Sequence, residues 1–446
     1  MKRKAWKLVL GLLGGMAIIL GLLVGDAHRR ASAVLDRTRA ELEKEVAAFR
    51  SRDHSRKSIF LETTDGNAWD HYAPALKVIG DLPNDIADLV PEIQGVNDAL
   101  EEPSPDDHAL HTLFREHAST LAAFEKGARC RIADAPRFAF RADAEIPYLS
   151  EPIRAARFLA GAVRHLHRMG ADREAVPLVL GGMAFGQDYG RSGLLLHTLV
   201  ASVVDGILVS SLRDVLEDYS LPAADFSALA AGLDRLEASR PDALDCWEGE
   251  VLYMRSSLLE GPWASFFRTF SIGLQPTTKP QRPSWRFLFS ERITRAHALN
   301  HVPELFAGLP DLRPLPPWQR PASAPDPVPE VLRLKNPLLA VLTPAVRRPL
   351  ENDARSQLGR TLLRVAVSIA WFEAEKGRSP DRLEDLVPGY LPRVPVCPVT
   401  GLPLRYKGGK LWSVGKNRID DGGTPGRNNE AEDEDGDVVW TVQRRK

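Results

Sequence analysis

Residues 152–170 read PIRAARFLAGAVRHLHRMG, and the spacing of their apolar residues indicates the fold class of the chain. Leu159, Val163 and Leu166 recur at intervals of four and three residues, which places them on one face of an α-helix. Gly170 ends the pattern, as glycine commonly does at a helix C-terminus. An apolar face of this kind needs a partner, so the stretch predicts a helix that packs against other helices.

The helical pattern continues as far as Leu259, interrupted by short turns. A second helix follows Gly170, and a third, long one covers about 194–216. A fourth opens at Leu221-Pro222, and the break at Ser239-Arg240-Pro241 precedes a fifth. Short turns between helices predict an antiparallel bundle or a short α-solenoid. The first pair resembles a tetratricopeptide hairpin, although the chain sustains no repeat of about 34 residues.

The N-terminus has the pattern of a membrane anchor. Four cations and no acid precede Leu8, and no charged side chain occurs from Leu8 to Gly25. These residues would span roughly 27 Å as a helix, close to the thickness of a bilayer core. The cationic leader should stay in the cytoplasm, so we expect a single-pass protein of a bacterial inner membrane with its bulk in the periplasm. Cleavage of a signal peptide at Gly25-Asp26-Ala27 is the alternative.

Charge and cysteine content exclude several classes of protein. The chain has 58 basic and 59 acidic residues and a net charge of −1, which gives no indication of nucleic-acid binding. Its three cysteines are far apart, so there is neither a disulfide framework nor a Cys-x-x-Cys metal motif, although two of them could pair in an exported chain. Gly11 with Gly15, and Gly21 with Gly25, have the spacing that lets two membrane helices pack as a homodimer.

Composition divides the chain into five parts. They are a cytoplasmic leader and transmembrane anchor (1–27), a helical stalk (28–50), a helical domain (51–308), a Pro-rich linker (309–336) and a C-terminal α+β module (337–446). In the stalk, Leu35, Leu42 and Phe49 recur every seven residues, but two heptads are too few for a coiled coil, so we expect the stalk to pack on its own domain. Eight prolines from Pro310 to Pro329 predict an extended, semi-rigid linker. The predicted fold class is therefore mainly α.

The C-terminal module has a recognisable order of elements. A long helix over 347–376 ends at Gly377 and is followed by RSPDRLEDLVPGYLP (378–392) and PVCPVTGLPLRY (395–406). Short strands are expected at 404–407, 410–413 and 438–442. A Gly-rich acidic loop separates the last two strands.

This order resembles the globular part of type II secretion major pseudopilins, over about 100 of the 446 residues. Two departures matter. The family's processing site, followed directly by its hydrophobic helix, is missing, and some 320 residues separate the hydrophobic helix from the module. Cys397 also stands where the family usually has Asp. The chain is therefore not expected to be a fibre subunit.

The resemblance implies calcium binding by the acidic loop, because carboxylate and carbonyl oxygens are the ligands of that cation. The implied ligands are Asn417, Asp420, Asp421, Asp435 and Asp437, with the Val414 carbonyl. An EF-hand is excluded, since Val438 and Arg444 replace its required Gly and Glu. The alternative is an acidic loop that is simply solvated.

No catalytic motif is complete. The pairs His108/His111, His165/His167 and His297/His301 each lack a third metal ligand. Ser413-x-x-Lys416 has no companion motif, and Trp247 with Glu248 and Glu250 is more typical of a packing Trp beside solvated acids.

We therefore expect a non-enzymatic scaffold or binding protein, an accessory of a type II secretion or type IV pilus-like apparatus. The alternative is an extracytoplasmic enzyme, such as a hydrolase, with its site in the helical domain. A pocket with converging carboxylates or histidines on the helices from 150 to 260 would favour the enzyme.

Overall fold

The protein is mainly α-helical, as predicted. The computed structural model describes residues 2–56, 58–82, 107–138, 140, 145–216, 221–261, 285–334, 336–415, 417–427 and 436–442; among these, the side chains of 2–21, 107, 285–290, 328, 332, 333, 337 and 341 are not described. The helices are α1 Lys2–Arg50, α2 Trp69–Gly80, α3 Asp107–Glu116, α4 Ala118–Arg129, α5 Glu151–Arg168, α6 Asp172–Gly190, α7 Leu195–Leu216, α8 Ala223–Ser239, α9 Cys246–Glu260, α10 Trp285–Leu305, α11 Arg320–Ser323, α12 Val328–Leu334, α13 Pro337–Leu342 and α14 Arg347–Lys376.

Five short strands complete the fold. They are β1 Thr64–Asn67, β2 Cys130–Ile132, β3 Arg405–Lys407, β4 Lys410–Ser413 and β5 Val438–Thr441. Strands β3, β4 and β5 form an antiparallel sheet in that order, at the positions predicted. The parallel pair β1–β2 was not predicted, because strands of three and four residues leave no periodic pattern in the sequence.

One hydrophobic core joins helices α2 to α8 with α14 and the C-terminal sheet. Helix α7 crosses the middle of this core and packs against α5, α6 and α14. Its inward face carries Val204, Leu208 and Leu212, which are almost completely buried. Gly170 has a φ of 71°, so it ends the helical pattern in the left-handed conformation expected of it.

A second core lies along α1. The stalk residues Leu35 and Leu42 are buried with α9, α10 and the segment that follows α10. Arg255 of α9 forms ion pairs with Glu41 and Glu45 of α1. The stalk therefore packs on its own chain, as predicted.

The prediction of an extended linker at 309–336 is wrong. This segment contains a 3-10 turn and the short helices α11 and α12, and it buries Leu309, Leu312 and Val331 in the second core. Prolines at the first turn of a helix cost no hydrogen bond, so Pro310 and Pro321 begin short helices here rather than preventing them. Apolar residues between the prolines then hold the segment against the helical body.

The C-terminal module packs directly against the helical body and is not separated from it by an extended linker. Helix α14 has the predicted bounds, and Gly377 at its end has a φ of 67°. Its apolar residues, Leu358, Leu362, Val365, Ile369 and Phe372, are buried in the same core as α7 and α8. The module and the helical body thus share one apolar interior.

The predicted anchor forms the first half of α1, which runs without interruption from Lys2 to Arg50. Leu22, Leu23 and Val24, the described residues at its end, are exposed. Most of the predicted span, including Gly11, Gly15 and Gly21 of the glycine pairs proposed for dimerisation, lies among residues whose side chains are not described, whereas Gly25 is exposed. Where side chains are described, one helix, α7, is long and apolar enough to cross a membrane, but much of it is buried and it carries the ion-paired Asp205. The anchor stays a prediction.

Candidate functional site

A cavity of about 230 Å³ lies where the end of the stalk meets the helical body and α14. Phe49, Arg50 and Arg52 come from the end of α1 and the residues after it, and the 133–140 segment forms the adjoining wall. Helices α6, α7 and α14 form the floor. Residues of the stalk, the helical domain and the C-terminal module therefore all line the cavity.

Ion pairs between α14 and the body cross the cavity floor. The Arg360 guanidinium forms ion pairs with Asp205 of α7 and, at 3.1 Å, with Glu237 of α8. Arg240 lies 2.7 Å from Asp353. Burial by itself lowers the pKa of Arg360, but the facing carboxylates of Asp205 and Glu237 raise it above its ordinary value. Arg360 is therefore a permanent cation in the junction.

Every aspartate in the cavity wall already has a partner. Besides Asp205 and Asp353, Asp242 pairs with Arg320 at 2.9 Å and Asp245 with Arg313 at 2.8 Å. Two others are used locally: Asp53 accepts hydrogen bonds from Ser55, and Asp134 lies 3.6 Å from the His54 ring. Carboxylates held in this way stabilise the arrangement of the chain, and they are poorly placed to transfer protons.

Candidate nucleophiles around the cavity lack activation. Burial raises the pKa of the Cys246 thiol to about 12, so this group stays protonated at neutral pH. Burial lowers the pKa of nearby His197 to about 4, which keeps that ring neutral. In the described part of the wall, no serine hydroxyl is hydrogen-bonded to a histidine, which is the arrangement that nucleophilic serine catalysis needs.

The cavity entrance is aromatic and cationic. The Phe138 and Phe140 rings lie 5.0 Å apart, and Phe49 packs edge-on against Phe140 at 5.4 Å. Arg50 donates a hydrogen bond to the Phe138 carbonyl at 3.1 Å, and its guanidinium lies 6.0 Å from the Phe140 ring centroid. Gly193, with a φ of 95°, supports Phe49 from below, because a Cβ at this position would overlap the ring.

A buried polar network fixes the helices behind the cavity. Asp188 of α6 is 1% exposed; it accepts a hydrogen bond from the Tyr72 hydroxyl at 3.0 Å and pairs with Arg56 at 3.3 Å. Burial raises the pKa of Asp188, while Arg56 and Arg191 oppose the rise. This network joins the chain after the stalk to α2 and α6, so it is structural.

The structure brings together only part of the predicted calcium ligand set. Asp435 lies outside the described residues. Asp420 accepts hydrogen bonds from Trp412 Nε1 and from the Gly422 amide, and its other oxygen lies 3.1 Å from Arg405. Asn417 donates to Asp421 at 3.4 Å, and the Val414 carbonyl accepts from the Ser413 hydroxyl. Within the described ranges no three His, Cys, Asp or Glu residues surround a common point.

Asp437 is the described member of the set that has a buried carboxylate oxygen without a hydrogen-bond partner. It is 1% exposed, and its Oδ2 accepts a hydrogen bond from the Gly423 amide at 2.8 Å. Its Oδ1 is buried with no hydrogen-bond partner among the described residues. Burial raises the pKa of Asp437, and the charges of Asp420 and Asp421 add to the rise. An orphaned carboxylate oxygen near other acids fits a cation ligand.

In each of the three histidine pairs, at least one ring contacts another side chain. His111 lies 3.3 Å from His165 of another helix, so the structure pairs these rings across helices rather than along them. His297 contacts the Asn336 amide at 3.1 Å and His301 contacts Glu304.

The tryptophan is a packing residue, as predicted. Trp247 stacks on Phe306 with ring centroids 5.6 Å apart. Glu250 is not a solvated acid, since it accepts a hydrogen bond from the Leu195 amide and burial raises its pKa. The three cysteines, Cys130, Cys246 and Cys397, are free and buried, so no pair of them is bridged.

The residues of the cavity floor were not singled out from the sequence. Asp205 offered a signal, because it is the only charged side chain between Leu195 and Ser211 on an apolar helix. A lone acid of that kind needs a buried partner. Its partner Arg360 is 155 residues away along the chain, and no spacing rule connects the two.

Comparison of the chain with the models of known families, with characterised proteins and with solved structures gave no match.

Proposed function

We propose that this protein is a membrane-anchored, extracytoplasmic scaffold that holds a pseudopilin-like module in a fixed orientation and serves a type II secretion or type IV pilus-like apparatus. The observation that carries the proposal is the docking of α14. The long helix of the module is also a core helix of the body, in contact with α7 and α8. A module built in this way presents a rigid surface, and rigid surfaces bind partners without losing conformational entropy.

The cavity chemistry favours binding over catalysis. Its carboxylates converge, as the enzyme alternative required, but arginines, a histidine and a serine already engage them. The neighbouring thiol and imidazole are held in their neutral forms. This arrangement offers neither a general base nor an activated nucleophile.

The order of elements in the module supports its assignment to a secretion or pilus-like system. A helix of 30 residues leads through a 3-10 turn at Leu383–Leu386 to three antiparallel strands. The acidic loop returns to the last strand, where Trp440 is buried opposite Leu411. This is the order that carried the resemblance to major pseudopilins.

Calcium binding by the loop belongs to the same proposal. Asp437 would supply the orphaned Oδ1, and Asp421 and Asp435 are the other acids available from the predicted set. Asp420 is the weakest member, because Arg405 already neutralises it. When bound, the cation would compensate the buried charge of Asp437 and hold the ends of the loop together.

The test is isolation of the full-length protein from membranes of its own host after mild crosslinking. We expect secretion or pilus-like components to be recovered with it. Ile419 is an apolar residue on the module that is 59% exposed, so Ile419→Asp should lose the partner without disturbing the core. Leu149→Asp is the matched control, because Leu149 is an exposed apolar residue of the helical body.

Two results would contradict the proposal. One is recovery of no secretion or pilus-like component with the unaltered protein. The other is equal recovery with Ile419→Asp and Leu149→Asp, which would place the contact away from this part of the module.

A further inference from the structure

The cavity entrance carries two positive charges that no described acid neutralises. Among the described residues, the Arg50 guanidinium has the Phe138 carbonyl and the Phe140 ring as its partners. Arg137 is exposed at the cavity wall and makes no contact with an acidic residue in the described part of the chain. The acids nearest in sequence, Asp53 and Asp134, are engaged by Ser55 and His54. The groups left free to bind a ligand are therefore cationic.

Aromatic rings stand beside these charges. The Phe138 and Phe140 ring centroids lie 5.0 Å apart, and the Arg50 guanidinium lies over the Phe140 ring at 6.0 Å from its centroid. Phe140 is 5% exposed, and Phe49 completes the apolar side of the entrance. An apolar wall beside unpaired guanidinium groups is complementary to a ligand with an aromatic body and an anionic end.

The volume of the cavity limits the size of such a ligand. It measures about 230 Å³. An enclosed apolar cavity of about 150 Å³ holds one benzene molecule. The remaining space is enough for a carboxylate and a short connecting chain, whereas drug-sized ligands fill roughly 300 to 1,000 Å³.

We propose that this cavity binds a small organic anion with a single aromatic ring, with the ring against Phe138 and Phe140 and the anionic group directed at Arg50 and Arg137. This site is independent of the proposed function, since it requires no protein partner. Asp353, Ser356 and Arg360 of α14 also line the cavity, so a bound ligand occupies the space between the stalk, the body and the module. Occupancy therefore stabilises the junction between them.

The test uses the full-length protein in lipid nanodiscs and isothermal titration calorimetry with phenylacetate as the probe. Phenylacetamide and 2-phenylethylammonium, which keep the ring and change the charge, are the comparison compounds. We expect phenylacetate to bind at least tenfold more tightly than either of them, the size of effect typical of charge-assisted hydrogen bonds. Equal binding of the acid and the amide, or tighter binding of the ammonium compound, would overturn the proposal.

Substitutions locate the site. Arg137→Ala removes an exposed side chain without a described partner, so it should leave the fold intact and weaken phenylacetate binding about tenfold. Arg348→Ala is the matched control, because Arg348 is an exposed arginine on α14 away from the cavity. Arg137→Glu should abolish binding. Unchanged affinity in both Arg137 variants, or an equal loss in Arg348→Ala, would show that phenylacetate binds elsewhere and would overturn the assignment.

Discussion

Replacement of Arg360 by leucine tests how the module is held to the body. The arginine contributes its ion pairs to Asp205 and Glu237 and a hydrogen bond to Ser356. In Arg360→Leu, the Asp205 carboxylate, whose side chain is 8% exposed, keeps only the Ser356 hydroxyl as a partner. Removing one member of a buried ion pair costs about 3–5 kcal/mol, because the other charge is left uncompensated. We expect a loss of that size in the free energy of unfolding.

A double variant separates the charge from the packing. Asp205→Val with Arg360→Leu removes both charges from an otherwise apolar interface. We expect it to recover most of the lost stability, because apolar replacement of both partners is often neutral or favourable. The surface pair Arg313–Asp245, whose side chains are about half exposed, provides the control. Arg313→Ala should cost about 0–1 kcal/mol.

The measurement is urea unfolding of the full-length protein in nanodiscs, followed by tryptophan fluorescence. Stability is taken from the unfolding midpoints together with the slopes. The reasoning is refuted if Arg360→Leu loses no more stability than Arg313→Ala. It is refuted equally if the double variant is no more stable than Arg360→Leu, because the cost would then come from packing rather than from an uncompensated charge.

Four further outcomes are expected. Burial raises the pKa of Glu237, but Arg360 and Arg240 outweigh this effect and lower the pKa below its ordinary value. The stability that Glu237 contributes is therefore present at neutral pH and is lost as pH falls below about 4.3. In Arg360→Leu, an acid titration should show a smaller loss of stability over that range. Calcium at millimolar concentration should raise the unfolding midpoint of the unaltered protein at pH 7. Asp437→Asn removes a buried charge, so in chelator its midpoint should be higher than that of the unaltered protein. The midpoint of this variant should not respond to calcium. Gly193→Ala should lower the free energy of unfolding in urea by about 1–3 kcal/mol, since alanine is strained at a positive φ and its Cβ would displace the Phe49 ring. A reporter enzyme that is active only outside the cytoplasm should be active when fused to the C-terminus, and an inactive fusion would contradict the predicted orientation.

Local patterns in the sequence were sufficient for α1, for α5 to α9 and for α14. The spacing of Leu159 and Val163, the glycine at 170 and the glycine at 377 predicted helix ends that the structure has within a few residues. The three C-terminal strands were also predicted, because alternation and turn residues are local signals. The short strands β1 and β2 were missed, since their pairing depends on residues more than 60 positions apart.

The candidate site was less accessible from the sequence. The acidic loop was visible as composition, but only the structure distinguishes Asp437, with its orphaned oxygen, from Asp420, which is neutralised by Arg405. The cavity was not predicted. Its walls come from segments as distant as Phe49 and Arg360, and a local pattern contains no information about which distant segments meet.

The sequence by itself determined many elements of this protein: the stalk helix, helices α5 to α9 and α14, the C-terminal strands and the apolar N-terminal stretch. Each depends on side chains within one or two turns of one another. Tertiary structure decided how the elements combine. The Pro-rich segment packs instead of extending because Leu309, Leu312 and Val331 find apolar surface on the second core. The module is docked because α14 buries one face against α7 and pairs Arg360 with Asp205. Burial and ion pairing between distant residues are properties of the folded chain, and they define the cavity.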